Sequence, residues 1–124
     1  NWFDTAELYG RGCSERILGE MVNGRERELG INSSSSKSLI ATKFFPYPWR
    51  VHRSSFRRAL NASLRRLNAD SIDLYQIHFP YRPRSFTYWV DALADAAQDG
   101  LIKASNGHTT VDEVYRVITA EEGL

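Results

Sequence analysis

The sequence of 124 residues is poor in several features that mark specialised classes of protein. Its single cysteine, Cys13, excludes an internal disulfide, and the lack of disulfides predicts a reducing compartment, either the cytoplasm or a plastid stroma. No apolar run approaches the roughly 20 residues that a membrane-spanning helix needs. The charge is nearly balanced, with 16 Lys and Arg against 15 Asp and Glu. We therefore expect neither a nucleic-acid partner nor a membrane partner.

Hydrophobic patterning predicts strands that alternate with helices. Leu39–Phe44 and Ile72–His78 are short, β-prone apolar runs, and a proline follows each of them closely. Between these two strands, apolar residues recur at steps of three and four, as on the buried face of a helix. The predicted inward residues are Phe56, Leu60, Leu64 and Leu67.

Three further helices are predicted. The first spans Ser14–Val22 and is followed by a loop that contains Gly24. Its expected inward residues are Ile17, Leu18 and Met21. The second runs from Phe86 or Thr87 to Gln98, and the third begins with a capping box at Thr110.

This alternation predicts parallel strands joined by helical crossovers. A complete TIM-type (β/α)8 barrel takes about 250 residues. We therefore predict an α/β fold in which parallel (β/α) units form roughly half of a TIM barrel, as a single partial domain over residues 1–124. Asn1 lies within an apolar phrase and Leu124 precedes an expected sixth strand, so we expect a barrel truncated at both ends. Its exposed sheet edges predict self-association.

Polar side chains recur at the ends of the predicted strands. Asp4 ends the first apolar phrase, Lys43 lies near the end of the next strand, and His78 closes the third. Tyr9 follows in a glycine-flanked loop beside Asp4. In a parallel barrel these positions converge at one face, where reacting groups are found. An ammonium stabilises the phenolate form of a nearby phenol, so this set suits protonation of a carbonyl oxygen as a hydride reaches its carbon.

Each of these residues also has an ordinary structural explanation. Asp4 alone is consistent with a side chain that caps a turn, and Tyr9 with a surface aromatic residue. Lys43 alone fits a solvated charge at a sheet edge, and His78 a loop histidine with satisfied hydrogen bonds. The occurrence of these four residues together at equivalent positions favours a functional site over four separate structural roles.

Four segments, in their order and spacing, resemble the aldo-keto reductase family. They are Phe3–Gly10, Ser14–Glu15 with Leu18–Gly19, Ala41–Lys43 and Asp73–His78. Pro48–Arg50 is similar to the plant and cyanobacterial branch, which includes pyridoxal-reductase-like enzymes. By this resemblance, Tyr9 would be the general acid, Lys43 would make it a stronger acid, Asp4 would pair with Lys43, and His78 would orient the substrate carbonyl.

The resemblance also implies a cofactor and a substrate class. NADPH would donate a hydride to a small-molecule aldehyde or ketone, which becomes an alcohol. Ser105 and Asn106 would hold the nicotinamide carboxamide, and Trp49 would lie over the substrate. No metal site is predicted, because the histidines lack the spacing of metal ligands.

Two alternatives to the enzymatic interpretation stay open. The first is an inactive, truncated aldo-keto reductase fragment. The second is a non-catalytic NADPH-binding or regulatory module. A basic cluster that includes Arg50, Arg53 and Arg57 is interpreted as a solvated helix face rather than as a phosphate or RNA site.

Overall fold

The computed structural model describes residues 2–28, 30, 38–79 and 84–102. In this part of the chain, strands and helices alternate. The elements are β1 (Trp2–Asp4), α1 (Cys13–Glu28), β2 (Leu39–Phe44), α2 (Arg53–Leu67), β3 (Leu74–Ile77) and α3 (Phe86–Gln98). A short 3-10 turn, Tyr9–Gly12, directly precedes α1.

The strands form a parallel sheet in the order β1-β2-β3. Asp4 of β1 pairs with Ala41 of β2, and Lys43 of β2 pairs with Gln76 of β3. Parallel neighbours cannot be joined by a tight hairpin, and α1 and α2 lie on the connections between the strands. The predicted α/β class and its parallel pairing are therefore observed.

The hydrophobic core lies where the helices pack on the sheet. Its largest fully buried apolar side chains are Phe44, Phe56, Leu60, Leu67, Ile72, Tyr75 and Trp89. Four of the buried positions on α2 are the inward residues predicted from its spacing. Full burial of one large apolar side chain stabilises a fold by about 1.5–3 kcal/mol, so these four buried residues hold α2 on the sheet.

Local capping explains where two of the helices begin and end. Asn68 follows α2 in the left-handed conformation, with φ of 50°, and its backbone N–H donates to the carbonyls of the last turn. The Ser85 hydroxyl accepts a hydrogen bond of 3.3 Å from the backbone N–H of Tyr88 and so caps the start of α3. The predicted bounds of α3 agree with this start.

The prediction for α1 was wrong in length and wrong for two of its three inward residues. The helix runs to Glu28, so Gly24 lies within it rather than in a loop. Ile17 and Met21, predicted to be inward, are 60% and 50% exposed. Leu18, the third predicted inward residue, is buried, and the rest of the buried face is Glu15, Gly19 and Val22. A carboxylate and a glycine make the close contacts of this helix, and hydrophobic spacing gives no weight to either.

The third strand is shorter than predicted. It covers Leu74–Ile77, while Ile72 forms a separate parallel bridge with Ile102 beyond α3. Asp73 lies between these two segments, and its carboxylate accepts a hydrogen bond of 2.9 Å from the backbone N–H of Ile40 on β2. The helix predicted from Thr110 lies outside the described residues.

None of the helices within the described ranges is long and apolar enough to cross a membrane.

Candidate active site

The parallel register brings the ends of β1 and β2 together. Asp4 is the last residue of β1 and pairs with Ala41, so Lys43 lies two residues further along β2. Alternate residues of a strand face the same way, and Lys43 therefore points to the same side of the sheet as Ala41. His78 directly follows the last residue of β3.

The Lys43 ammonium is held by three oxygen atoms. Its Nζ lies 2.8 and 2.9 Å from the two carboxylate oxygens of Asp4 and 3.0 Å from the backbone carbonyl oxygen of Thr5. An ammonium has three N–H donors, and these three acceptors use all of them. The Lys43 side chain is only 17% exposed, so the cation has a fixed position at the strand ends.

Tyr9 lies beside this cation. The Lys43 Nζ is 5.7 Å from the centroid of the Tyr9 ring, and the ring is about half-exposed. The 3-10 turn that carries Tyr9 has positive φ at Gly10 and at Gly12, with values of 57° and 90°. A side chain at Gly12 would also place its Cβ 2.6 Å from the Arg66 side chain. The turn that carries Tyr9 therefore needs glycine at position 12.

His78 completes the group. Its ring centroid is 5.6 Å from that of Tyr9, with the two planes at 84°, and its backbone N–H donates to the Phe44 carbonyl at 2.8 Å. Partial burial lowers the pKa of His78, and the Lys43 charge lowers it further, against the opposite effect of Asp4 and Glu7. The lowered pKa favours the neutral form of the imidazole. Its buried Nδ1 has no hydrogen-bond partner among the described residues.

A row of aromatic rings leads away from this group. His78 is 5.8 Å from Phe45, Phe45 is 4.7 Å from Tyr47, and Tyr47 is 4.6 Å from Trp49, measured between ring centroids. Tyr47 and Trp49 are nearly parallel, at 9°, and Trp49 is 72% exposed. Phe45, Tyr47 and Trp49, called the aromatic row below, offer flat apolar surface that begins beside His78.

The structure thus brings together the side chains of Asp4, Tyr9, Lys43 and His78, as the sequence predicts. Trp49 lies at the far end of the aromatic row, stacked on Tyr47. Its position over the substrate stays a prediction. Ser105 and Asn106, the predicted nicotinamide contacts, lie outside the described residues. Within the part of the chain that the structure describes, no three His, Cys, Asp or Glu side chains are close enough to hold a metal ion.

Two buried carboxylates near the site were not singled out from the sequence. Glu15 accepts hydrogen bonds of 2.6 Å from the Thr42 hydroxyl and from Nε of Arg66. Glu7 binds Arg50, which the sequence analysis assigned to a solvated basic cluster. Both glutamates occur in segments that carry the family resemblance, but nothing in the sequence indicates their arginine partners.

Two further arginines of the basic cluster form ion pairs with carboxylates on α3 or directly after it. Arg53 Nη1 lies 2.8 Å from Asp95, and Arg57 forms an ion pair with Asp99. These side chains are about half-exposed, as expected for a solvated face between two helices. Their charges meet carboxylates of the same chain, which favours a structural role over a phosphate site.

Comparison with known proteins identifies the family. The model of the Aldo/keto reductase family matches residues 1–120. The chain belongs to this family. Pyridoxal reductase from the chloroplast of Arabidopsis thaliana is 35% identical over 111 residues, which cover 84% of this chain and 30% of that protein. The predicted family is therefore confirmed.

Solved structures of aldo-keto reductases share the fold. The thermostable aldo-keto reductase Tm1743, in complex with the inhibitor epalrestat, is 32% identical with a TM-score of 0.66, and the match covers 80% of this chain and 32% of that one. An aldo-keto reductase from Klebsiella pneumoniae, in complex with NADPH, is 26% identical with a TM-score of 0.66 and covers 82% and 32%. The chain thus spans about a third of these relatives, and the predicted partial (β/α)8 fold is confirmed.

Proposed function

We propose that the protein reduces an aldehyde or ketone to an alcohol, with NADPH as the hydride donor and Tyr9 as the proton donor. The observation that carries this proposal is the cation beside the phenol. Lys43 is fixed by Asp4 and Thr5 and lies 5.7 Å from the centroid of the Tyr9 ring. Its positive charge stabilises the negative charge that remains on Tyr9 once the proton has left.

His78 orients the carbonyl group in this proposal. Its ring lies against Tyr9, and its neutral imidazole carries one N–H, which can donate to the carbonyl oxygen that Tyr9 protonates. Two donors aimed at one oxygen stabilise the charge that develops there. Asp4 contributes indirectly, because its carboxylate keeps the Lys43 ammonium in place.

The donor set fits a nicotinamide cofactor. Tyr9, Lys43 and His78 supply a proton, a charge and a hydrogen bond, and reduction then requires only a hydride, which bound NADPH would supply. Tyr9 is half-exposed, so the face that it shares with His78 is accessible to a bound group. Ser105 and Asn106 are proposed to hold the nicotinamide carboxamide. The related aldo-keto reductase from K. pneumoniae is described in complex with NADPH.

The aromatic row suggests the first substrates to assay. Tyr47 and Trp49 stack at 4.6 Å and present flat rings on which a planar ring of a substrate can pack. The relative from A. thaliana is named a pyridoxal reductase. We therefore propose aromatic and heteroaromatic aldehydes, pyridoxal among them, as candidate substrates.

The substitution Tyr9→Phe tests the proposal. It removes the proton donor and keeps the ring that packs against His78. We expect kcat for NADPH-dependent aldehyde reduction to fall by about 100-fold or more, the range for loss of a general acid. Tyr88→Phe on α3 is the matched control and should retain wild-type kcat. A Tyr9→Phe variant as active as the control would contradict the proposal.

The turnover assay together with a titration of NADPH separates the two alternatives. An inactive fragment predicts no NADPH binding and no turnover. A non-catalytic regulatory module predicts that NADPH binds, seen as saturable quenching of tryptophan fluorescence, without any alcohol being formed. The fixed cation beside Tyr9 favours the enzyme, because a purely structural site has no need to hold an ammonium beside a half-exposed phenol.

A further inference from the structure

Glu7 is a buried carboxylate in the segment between β1 and Tyr9. Its side chain is only 6% exposed. Its Oε1 accepts a hydrogen bond of 2.6 Å from the backbone N–H of Phe45, and its two oxygens bind the two terminal nitrogens of Arg50. The backbone N–H of Glu7 also donates to the Lys43 carbonyl at 3.3 Å. Glu7 therefore binds the end of β2 through its backbone and the segment after β2 through its side chain.

Arg50 closes this arrangement from the other side. Its Nη1 donates to the Phe45 carbonyl at 2.8 Å, in addition to its ion pair with Glu7. Its guanidinium carbon lies 5.1 Å from the ring centroid of Phe44 and 5.0 Å from that of Tyr47. The planar guanidinium thus packs on aromatic rings while both of its terminal nitrogens donate, a geometry that lysine cannot reproduce.

The position of this pair relates it to the proposed site. Glu7 is two residues before Tyr9, and Phe45 is two residues after Lys43. The Phe45 ring lies 5.8 Å from the His78 ring. The pair therefore joins the segment that carries the proposed proton donor to the segment that follows the proposed cation and begins the aromatic row.

Burial distinguishes this pair from the ion pairs on the surface. Glu7 and Arg50 are 6% and 19% exposed, whereas Arg53 and Asp95 are each about half-exposed. Removing two charges from water is costly, and such a pair is retained only where additional hydrogen bonds compensate. Glu7 and Arg50 both bond the backbone of Phe45, so the cost is offset at one defined place in the chain.

We propose that Glu7 and Arg50 are a positioning pair, which fixes Tyr9 relative to Lys43 and His78 by holding the Tyr9 segment against Phe45. This assignment rests on the proposed function. The pair does not touch the reacting atoms, and it acts through the placement of the proton donor. A displacement of about 1 Å between reacting groups is enough to lower a rate by about 100-fold.

A double-mutant cycle tests the assignment. Glu7→Gln, Arg50→Met and the double variant are assayed for NADPH-dependent aldehyde reduction. We expect each single substitution to lower kcat by 10-fold or more and to change KM by less than threefold. The reason is that the proton donor moves while most of the protein surface that contacts the substrate keeps its position. The double variant should lose no more than the worse single variant, since both remove one interaction. The matched control is Arg53→Met, which breaks an exposed ion pair and should retain kcat.

A second control separates positioning from stability. Leu60→Ala removes buried apolar volume from α2, away from the site, and should lower the melting temperature without lowering kcat of the folded protein. If kcat of Arg50→Met falls no further than that of Leu60→Ala, or if losses in the double variant add, the assignment is refuted. A wild type without turnover would refute the proposed function and this assignment together, whereas an active wild type with unchanged variants would refute this assignment alone.

Discussion

Replacing Glu15 by glutamine should be costly because of where its carboxylate lies. The side chain is fully buried, and its two oxygens accept hydrogen bonds of 2.6 Å from Thr42 and from Arg66. A glutamine keeps one acceptor and directs an N–H group at a donor, so one partner is left unsatisfied. Breaking a buried ion pair by removing one partner costs about 3–5 kcal/mol. Because Arg66 is 18% exposed, we expect the loss in free energy of unfolding to lie near the lower end of this range, at about 3 kcal/mol.

Urea unfolding followed by circular dichroism measures this loss, with Asp95→Asn as the matched control. That control makes the same change from carboxylate to amide in an ion pair whose members are about half-exposed. Surface pairs are worth about 0.2–1 kcal/mol, so the control should lose no more than that. Equal losses of free energy of unfolding in the two variants would refute the reasoning, because burial would then not set the cost.

Two further predictions concern α1 and the proposed site. Gly19→Ala should destabilise the fold by about 1–3 kcal/mol, because its Cβ would lie 2.6 Å from the Leu67 carbonyl oxygen. Gly24→Ala should stabilise the fold by about 0.5–1 kcal/mol, because among the described residues nothing outside the helix's own backbone lies within 4 Å of its Cβ. Urea unfolding shows whether the signs differ. The NMR titration midpoint of His78 should lie below its ordinary pKa of about 6.5 and rise in Lys43→Met. Because the pKa of His78 is lower in the folded chain, the unfolded wild-type chain binds a proton more readily. The folding stability linked to His78 is therefore present above about pH 6.5 and is lost as the pH falls. A His78 titration midpoint above 6.5 in the wild type would contradict this.

The sequence allowed much of the fold to be predicted because its strongest signals are periodic. The strand Leu39–Phe44 and the inward residues of α2 were predicted correctly, since apolar spacing is decided by burial against a sheet. The buried face of α1 was predicted correctly only at Leu18, because that helix is also held by the close approach of Gly19 to the Leu67 backbone and by the buried carboxylate of Glu15. Neither contact produces hydrophobic periodicity.

The candidate site could be predicted in part for a topological reason. Parallel strands place their ends at one edge of the sheet, and Asp4, Lys43 and His78 each lie at such an end. The partnership of Glu7 with Arg50 follows from the path of two loops, and loop paths depend on contacts that no local pattern records. The same holds for the stacking of Trp49 on Tyr47, which no local pattern indicates.

The central claim is that this chain reduces carbonyl groups at Tyr9, and its most direct test is a product assay. The purified chain is incubated with NADPH and an aromatic aldehyde, and both the alcohol formed and the NADPH consumed are quantified. We predict one alcohol for each NADPH consumed, with no consumption when the aldehyde is omitted. A chain that is folded by circular dichroism and forms no alcohol, or consumes NADPH without forming it, would contradict the account.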